Sequence, residues 1–99
     1  MRIKEKDLEM LIDRVNKEMD FPEKPYIETD KGYEPAPENI HLDFAYGGVS
    51  VEQMLKSSGV EKVLHGYHTK KEAHLFLQGL VKGIELAKNK FAVPHIENK

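Results

Sequence analysis

The chain has 99 residues, of which 39% are hydrophobic and 32% charged, and this size and balance favour one folded domain over a disordered chain. With 15 Lys+Arg against 17 Asp+Glu the net charge is −2, which excludes a global basic field, so any binding to nucleic acid or an anionic membrane has to be local. The absence of cysteine excludes disulfides, thiolate catalysis and cysteine-ligated zinc.

The beginning of the sequence, MRIKEKDLEM, is charged where a signal peptide needs an apolar stretch. No apolar run in the chain approaches the ~18 residues that a membrane span requires. We therefore expect a cytoplasmic protein with no membrane partner.

The first predicted element is an amphipathic helix over residues 7–20, within an N-terminal segment of residues 1–20. Its apolar positions recur at helical spacing: Leu8, Leu11, Ile12, Val15 and Met19. Asp7 is the predicted N-cap. Pro22 restricts Phe21 to extended conformations and so ends the helix.

Residues 21–39 form the second predicted segment, a proline-rich arm or wrapping loop. Its four prolines and the Thr29–Gly32 turn signal leave no room for a helix or a central strand. Three apolar residues, Tyr26, Ile27 and Tyr33, provide contacts for docking of the arm or for a short hairpin.

Residues 40–66 are predicted to form a small antiparallel sheet of two or three strands. Apolar and polar residues alternate over 40–46, as in a half-buried strand, and Gly47-Gly48 favours a tight turn. Residues 49–55 continue as a second strand, although Ser50 with Gln53 is also typical of a helix-capping box. A third strand begins at Val60 and ends at Gly66.

The last helix is predicted over residues 69–89, followed by a tail of residues 90–99. Thr69 with Glu72 forms a capping box. The apolar face comprises Ala73, Phe76, Leu77, Leu80, Val81, Ile84 and Ala87. The fold class is therefore α+β, with the order helix, arm, three strands, helix.

The segment that leads into the last helix is the candidate ligand site, because free N–H groups and the helix dipole favour an anion there. Its residues are His65, Gly66, Tyr67, His68, Thr69, Lys70 and Lys71. We add the turn residues Tyr46, Gly47 and Gly48, since Tyr46 or Tyr67 is available to stack on a base. The same pattern also describes an ordinary capped helix with a solvated first turn.

The residue types present also allow two other kinds of site, a metal site and a catalytic site. The spacing of His65, His68 and His74, even with His41 or Asp43 added, matches no standard zinc pattern, so we predict no metal. No Ser stands in a recognisable nucleophile context and no P-loop or dinucleotide fingerprint is present, so we predict neither an enzyme nor a cofactor.

Gly79 and Gly83 lie one turn apart inside the last helix, where each costs about 0.8–1.0 kcal/mol relative to Ala. We expect the sheet or the first helix to approach closely across these glycines; the functional alternative is a dimer contact. The tail adds Phe91, Val93 and Ile96, more apolar surface than a free terminus needs. These five residues are the candidate interface.

Several segments together resemble a group of small phage and prophage proteins of unknown function. They are Ile40–Val49, Ser58-Gly59-Val60, His65-Gly66-Tyr67, Thr69–Glu72 and Leu77–Leu80, and the resemblance covers about residues 12–85. Ser57-Ser58-Gly59 departs from a more glycine-rich turn in that group. The resemblance implies a phage or prophage origin, expression in the cytoplasm of a prokaryotic host, and an accessory role such as host takeover or counter-defence.

The order of elements and the Thr69–Ala73 segment are also similar to double-stranded-RNA-binding domains, whose last helix begins with a lysine-rich motif. His74 stands where a further lysine is expected, and Phe76 and Leu77 replace small alanines. The negative net charge also differs from that of a phosphate-binding domain.

From these patterns we predict a protein that acts by binding another protein, or a second copy of itself as a homodimer. The surfaces available for this are the first helix, the arm and the tail. The alternative is a phosphate-bearing ligand, a nucleotide or RNA, held at residues 65–71.

Overall fold

A computed structural model describes residues 2–56 and 59–92, and for residues 90–92 it describes the backbone only. Its elements are α1 (Glu5–Glu18), β1 (Tyr26–Thr29), β2 (Gly32–Pro35), β3 (Ile40–Ala45), β4 (Gly48–Met54), β5 (Val60–His68) and α2 (Lys70–Ala92). The predicted α+β class is confirmed, with an N-terminal helix, an antiparallel sheet and a long C-terminal helix.

Helix α1 begins two residues earlier than predicted, and its N-cap is Lys4 rather than Asp7. Asp7 occupies the third helical position, where its carboxylate accepts a hydrogen bond from the Lys4 N–H at 2.8 Å. Asp7 therefore accepts the backbone N–H of the N-cap residue. This is the contact that the third helical residue makes in a capping box.

Both helices pack on one face of the three-stranded sheet, in the order β3-β4-β5, and also pack on each other. The core between these layers contains Leu8, Ile12, Val15, Ile40, Val49, Val51, Ala73, Leu77 and Val81. Two ion pairs join the helices at their exposed edges, Arg14 with Glu85 and Lys88 with Glu18. The opposite face of the sheet is not covered by either helix.

Strand β4 settles the ambiguity over residues 49–55 in favour of a strand. Ser50 is fully buried within β4 and pairs with Asp43 of β3, so it does not cap a helix. Strand β5 continues to His68, two residues past the predicted end, with register shifts against β4. Gly66 adopts a positive φ of 81° near this irregular end, a conformation that favours glycine.

Asn16 of α1 closes part of the outer edge of β3. Its side-chain amide donates to the Ile40 carbonyl at 2.8 Å and accepts from the Ile40 N–H at 2.9 Å, and Asn16 is only 1% exposed. A helix side chain thus provides the two hydrogen bonds that a neighbouring strand would make. This contact joins the helix layer to the sheet through polar groups as well as apolar packing.

Residues 21–39 contain a short hairpin of β1 and β2, so the predicted wrapping loop is not confirmed. The strands pair from Tyr26 with Pro35 to Thr29 with Gly32. The base of the hairpin is closed by a hydrogen bond from the Ala36 N–H to the Pro25 carbonyl at 2.8 Å. The prolines are compatible with a two-stranded hairpin because both of its strands are edge strands.

Helix α2 confirms the predicted capping box and runs three residues past the predicted end. The Thr69 N–H donates to Glu72 at 2.9 Å, and the Glu72 N–H donates to the Thr69 hydroxyl at 3.1 Å. The expectation that the sheet or α1 approaches Gly79 and Gly83 closely is wrong, because both glycines are exposed and a Cβ at either position meets no atom of residues 2–56 and 59–92 within 4 Å.

Candidate functional site

A cleft of about 600 Å³ lies between the β3–β4 turn, the chain before α1 and the start of α2. It brings together part of the predicted ligand site, namely Gly47, Gly48, His68, Thr69 and Lys70. Sequence reasoning missed its other lining residues, Arg2, Ile3, Phe44, Ala45 and Val49. Their positions in the cleft depend on tertiary packing, which no local sequence pattern predicts.

The start of α2 lies at one end of this cleft, where Thr69 and Lys70 line it. The first N–H groups of a helix have no partner inside the helix. Thr69 accepts those of Glu72 and Ala73. The Glu72 carboxylate also lies at this end, where the Thr69 N–H and hydroxyl keep the pKa of Glu72 below its usual range. This negative charge opposes an incoming anion.

Other predicted ligand residues lie outside the cleft. His65 is exposed, and its carbonyl contacts the His68 ring at 2.7 Å. Tyr46 is 92% exposed at the turn, with its ring 5.2 Å from that of Tyr67 in an edge-to-face arrangement. Lys71 is exposed but does not line the cleft.

The uncovered face of the sheet carries a hydrogen-bonded cluster centred on Lys62. The Lys62 ammonium donates to Glu52 at 2.6 Å, to Ser50 at 2.9 Å and to Tyr67 at 3.2 Å, and it forms an ion pair with Asp43 at 3.4 Å. The Tyr67 hydroxyl donates to Asp43. The cluster therefore joins β3, β4 and β5 across their outer face.

The charges in this cluster favour a structural role over catalysis. The hydrogen bond to Glu52 raises the pKa of Lys62, so the ammonium stays protonated and cannot act as a base toward Ser50. The Tyr67 hydroxyl, followed by Lys62, keeps the pKa of Asp43 below its usual range. Every member already holds a partner, which leaves no activated nucleophile in the cluster.

Within the described residues, the histidines do not converge on a shared point. His41 of β3 lies 3.3 Å from Glu52 and 3.2 Å from Asn39, while His68 at the end of β5 lies 3.6 Å from Glu72. Within residues 2–56 and 59–92, no three His, Asp or Glu side chains are placed to hold a metal ion.

The hairpin β1–β2 is the second candidate surface, and it projects from the domain. None of its eight strand residues is buried. Tyr26 is 54% and Tyr33 is 72% exposed, and the register places both on one face of the hairpin, with Ile27 on the other. A two-stranded hairpin is only marginally stable alone in water, so this element is suited to being covered by a partner.

Charge is distributed unevenly between the hairpin segment and the rest of the chain. Residues 20–39 hold six acidic residues and two lysines, for a net charge of −4. The rest of the chain keeps 13 basic and 11 acidic residues, for a net charge of +2. The projecting segment is therefore acidic as well as aromatic.

Comparisons with protein-family models, with curated proteins and with solved structures give no match for this chain. Neither helix in the described part of the chain is long and apolar enough to cross a membrane.

Proposed function

We propose that the protein acts by binding another protein, and that the hairpin β1–β2 makes the principal contact. The observation that carries this proposal is the exposure of Tyr26 and Tyr33 on one face of a hairpin whose main contacts, among the described residues, are between its own two strands. Tyrosine is enriched at interface hot spots because it buries a large, rigid surface and keeps a polar tip.

The charge of the segment defines the kind of partner. A surface of net charge −4 over residues 20–39 favours a basic partner and disfavours nucleic acid, whose phosphates would be repelled. We therefore propose a partner protein with a basic surface and a groove that accepts aromatic side chains. Proteins that bind nucleic acid present such basic surfaces.

The biological setting is proposed from the resemblance to small phage and prophage proteins. It supports an accessory role in the cytoplasm of a prokaryotic host, either host takeover or counter-defence. An acidic, aromatic hairpin is compatible with that role, because it can occupy a basic surface that a host protein otherwise uses for nucleic acid.

The test is capture of partners from bacterial cytosol with three immobilised proteins: wild type, a Tyr26→Ser/Tyr33→Ser variant and a Tyr46→Ser control. Tyr46 is the matched control because it is even more exposed but lies outside the hairpin. We expect the wild type and the control to retain the same protein. The double variant should bind the purified partner at least about tenfold more weakly, because a loss of ~1.4 kcal/mol at a hot spot lowers the affinity by that factor.

Salt dependence gives an independent readout of the partner's charge. Binding of the purified partner should weaken as ionic strength rises, because screening removes the attraction between opposite charges. Equal retention by the double variant, or an affinity that does not respond to salt, would contradict the proposal.

A second candidate function is binding of a phosphate-bearing ligand, a nucleotide or RNA, in the cleft at the start of α2. The observation that favours it is the convergence of Arg2, His68 and Lys70 on one cleft. The Glu72 carboxylate at the same helix end argues against it. For this reason we rank it second.

NMR titration with inorganic phosphate and with ATP tests this candidate. Shifts should concentrate on Gly47, Gly48 and Lys70, and an Arg2→Ala/Lys70→Ala variant should abolish them. Lys31→Ala, on the hairpin, is a control for the loss of positive charge. The candidate fails if wild type shows no saturable shifts or if the double variant titrates as wild type does.

A further inference from the structure

The outer edge of β1 presents backbone groups that point away from the hairpin. The Ala36 N–H donates to the Pro25 carbonyl at 2.8 Å, which makes these two residues a hydrogen-bonded pair at the base of the hairpin. Hydrogen-bonded and non-hydrogen-bonded pairs alternate along an antiparallel ladder. The register therefore turns the N–H and carbonyl groups of Ile27 toward β2, and those of Tyr26 and Glu28 away from it.

The outward groups of Tyr26 and Glu28 are accessible to a binding partner. Both residues are exposed. Among residues 2–56 and 59–92, no hydrogen bond occupies the N–H or the carbonyl of either one. These donors and acceptors lie two residues apart along the strand, which is the spacing that an added strand requires.

The edge of β2 is less suited to further pairing. By the same register, the outward residues of β2 are Tyr33 and Pro35. Pro35 has no N–H to donate, and a proline on an edge strand is one of the devices that prevent a further strand from pairing there. Of the two edges of the hairpin, β1 is therefore the one that can accept a strand.

We infer that the partner adds an extended basic segment to the outer edge of β1 as a third strand. The added strand belongs to the partner of the proposed function, on which this inference rests. Strand addition to an exposed edge is a common mode of recognition, in which main-chain hydrogen bonds provide affinity and alternate side chains provide specificity. A third strand also stabilises a hairpin that is marginal with two.

The side chains of β1 specify an alternation of basic and apolar residues in the added strand. Tyr26 and Glu28 lie on one face of the hairpin and Ile27 on the other, since successive side chains of a strand point to opposite faces. Side chains directly opposite each other on neighbouring strands interact. An arginine or lysine opposite Glu28 forms an ion pair, and one opposite Tyr26 stacks on its ring. An apolar residue opposite Ile27 covers its exposed side chain.

A second copy of the hairpin is a poorer occupant of this edge. Residues 20–39 of each copy hold six acidic residues and two lysines, so two hairpins placed edge to edge repel each other. A segment in which arginine or lysine alternates with apolar residues carries the opposite charge. Charge complementarity therefore selects the basic segment.

Hydrogen exchange followed by NMR tests the edge directly, and the probe is a short synthetic peptide in which arginine and valine alternate. In the free protein the amides of Tyr26, Glu28 and Tyr33 should exchange rapidly, because all three point outward. Saturating peptide should slow exchange at Tyr26 and Glu28 by about tenfold or more and leave Tyr33 unchanged. A peptide of the same composition, with its arginines and valines in two blocks, is the control for charge and should protect neither amide.

Two substitutions at one position separate the backbone edge from the charge of its side chain. Glu28→Pro and Glu28→Gln remove the same carboxylate, but only the proline also removes the outward N–H and places a ring on the edge. The Glu28 N–H does not bond to β2, so the proline leaves the hydrogen bonds of the hairpin in place. Glu28→Pro should bind the peptide on the order of tenfold more weakly than Glu28→Gln. Exchange at the Ile27 amide, which faces β2, checks that the hairpin is intact.

The outcomes separate strand addition from the tyrosine contact of the proposed function. A peptide that protects neither Tyr26 nor Glu28, or that binds both Glu28 variants equally, would overturn strand addition even if the Tyr26→Ser/Tyr33→Ser variant loses its partner. If the peptide protects the β1 edge but the tyrosine variant captures its partner as wild type does, strand addition is supported and the tyrosine contact fails.

Discussion

Replacement of Asn16 by alanine should strongly destabilise the contact between α1 and β3. Asn16→Ala removes both side-chain hydrogen bonds and leaves the Ile40 N–H and carbonyl without a partner in a buried position. Each unsatisfied buried group costs about 1–3 kcal/mol, so we expect a loss of about 3 kcal/mol in the free energy of unfolding. For a domain of this size, that loss lowers Tm on the order of 15 °C.

Thermal and urea unfolding followed by circular dichroism measure this loss, and hydrogen exchange locates it at the Ile40 amide. Lys17→Ala is the matched control, because Lys17 is the next residue of α1 and is exposed, so its removal should change stability by less than about 0.5 kcal/mol. Asn16→Asp keeps an acceptor for the Ile40 N–H but buries a charge opposite the carbonyl, and should also destabilise. The reasoning is refuted if Asn16→Ala is no more destabilising than Lys17→Ala.

Three further predictions concern the turn, the outer sheet face and the cap of α2. Tyr67→Phe should raise the pKa of Asp43 toward its ordinary value, measured by NMR titration. A lowered pKa of Asp43 stabilises the folded protein above the ordinary pKa of an aspartate, and this stability is lost as the pH falls through the folded-state pKa. The free energy of unfolding of the variant should therefore change less with pH in acid than that of the wild type. Gly48→Ala should cost about 1–3 kcal/mol in urea unfolding, because its Cβ would lie 3.0 Å from the His68 backbone oxygen. Thr69→Ala should cost about 1 kcal/mol by loss of the cap, and a thermal melt equal to wild type would contradict this.

The elements that the sequence predicts well are those whose signals are local. The capping box of Thr69 and Glu72 lies within four residues, and the alternation over β3 needs only the strand itself. The hairpin was harder, because prolines weaken strand signals and the pairing of β1 with β2 depends on the Thr29–Gly32 turn.

The features that the sequence does not predict depend on pairing between distant residues. Asn16 is one polar residue in an amphipathic helix, and only the docking of α1 on β3 places it at Ile40. The Lys62 cluster likewise depends on the register of three strands, including the shifts between β4 and β5. Only part of the cleft was predicted for the same reason, since Arg2 reaches it from the far end of the sequence.

The hairpin leaves and rejoins the domain at a single point, because the Asn39 side chain donates to the Pro22 carbonyl at 2.7 Å. Residues 23–38 therefore form a loop that is closed at its base by this hydrogen bond. A shorter or longer loop changes the entropy of loop closure only slightly, since that cost grows with the logarithm of loop length. The length and sequence of this segment can therefore change at little cost to the fold of the rest of the domain.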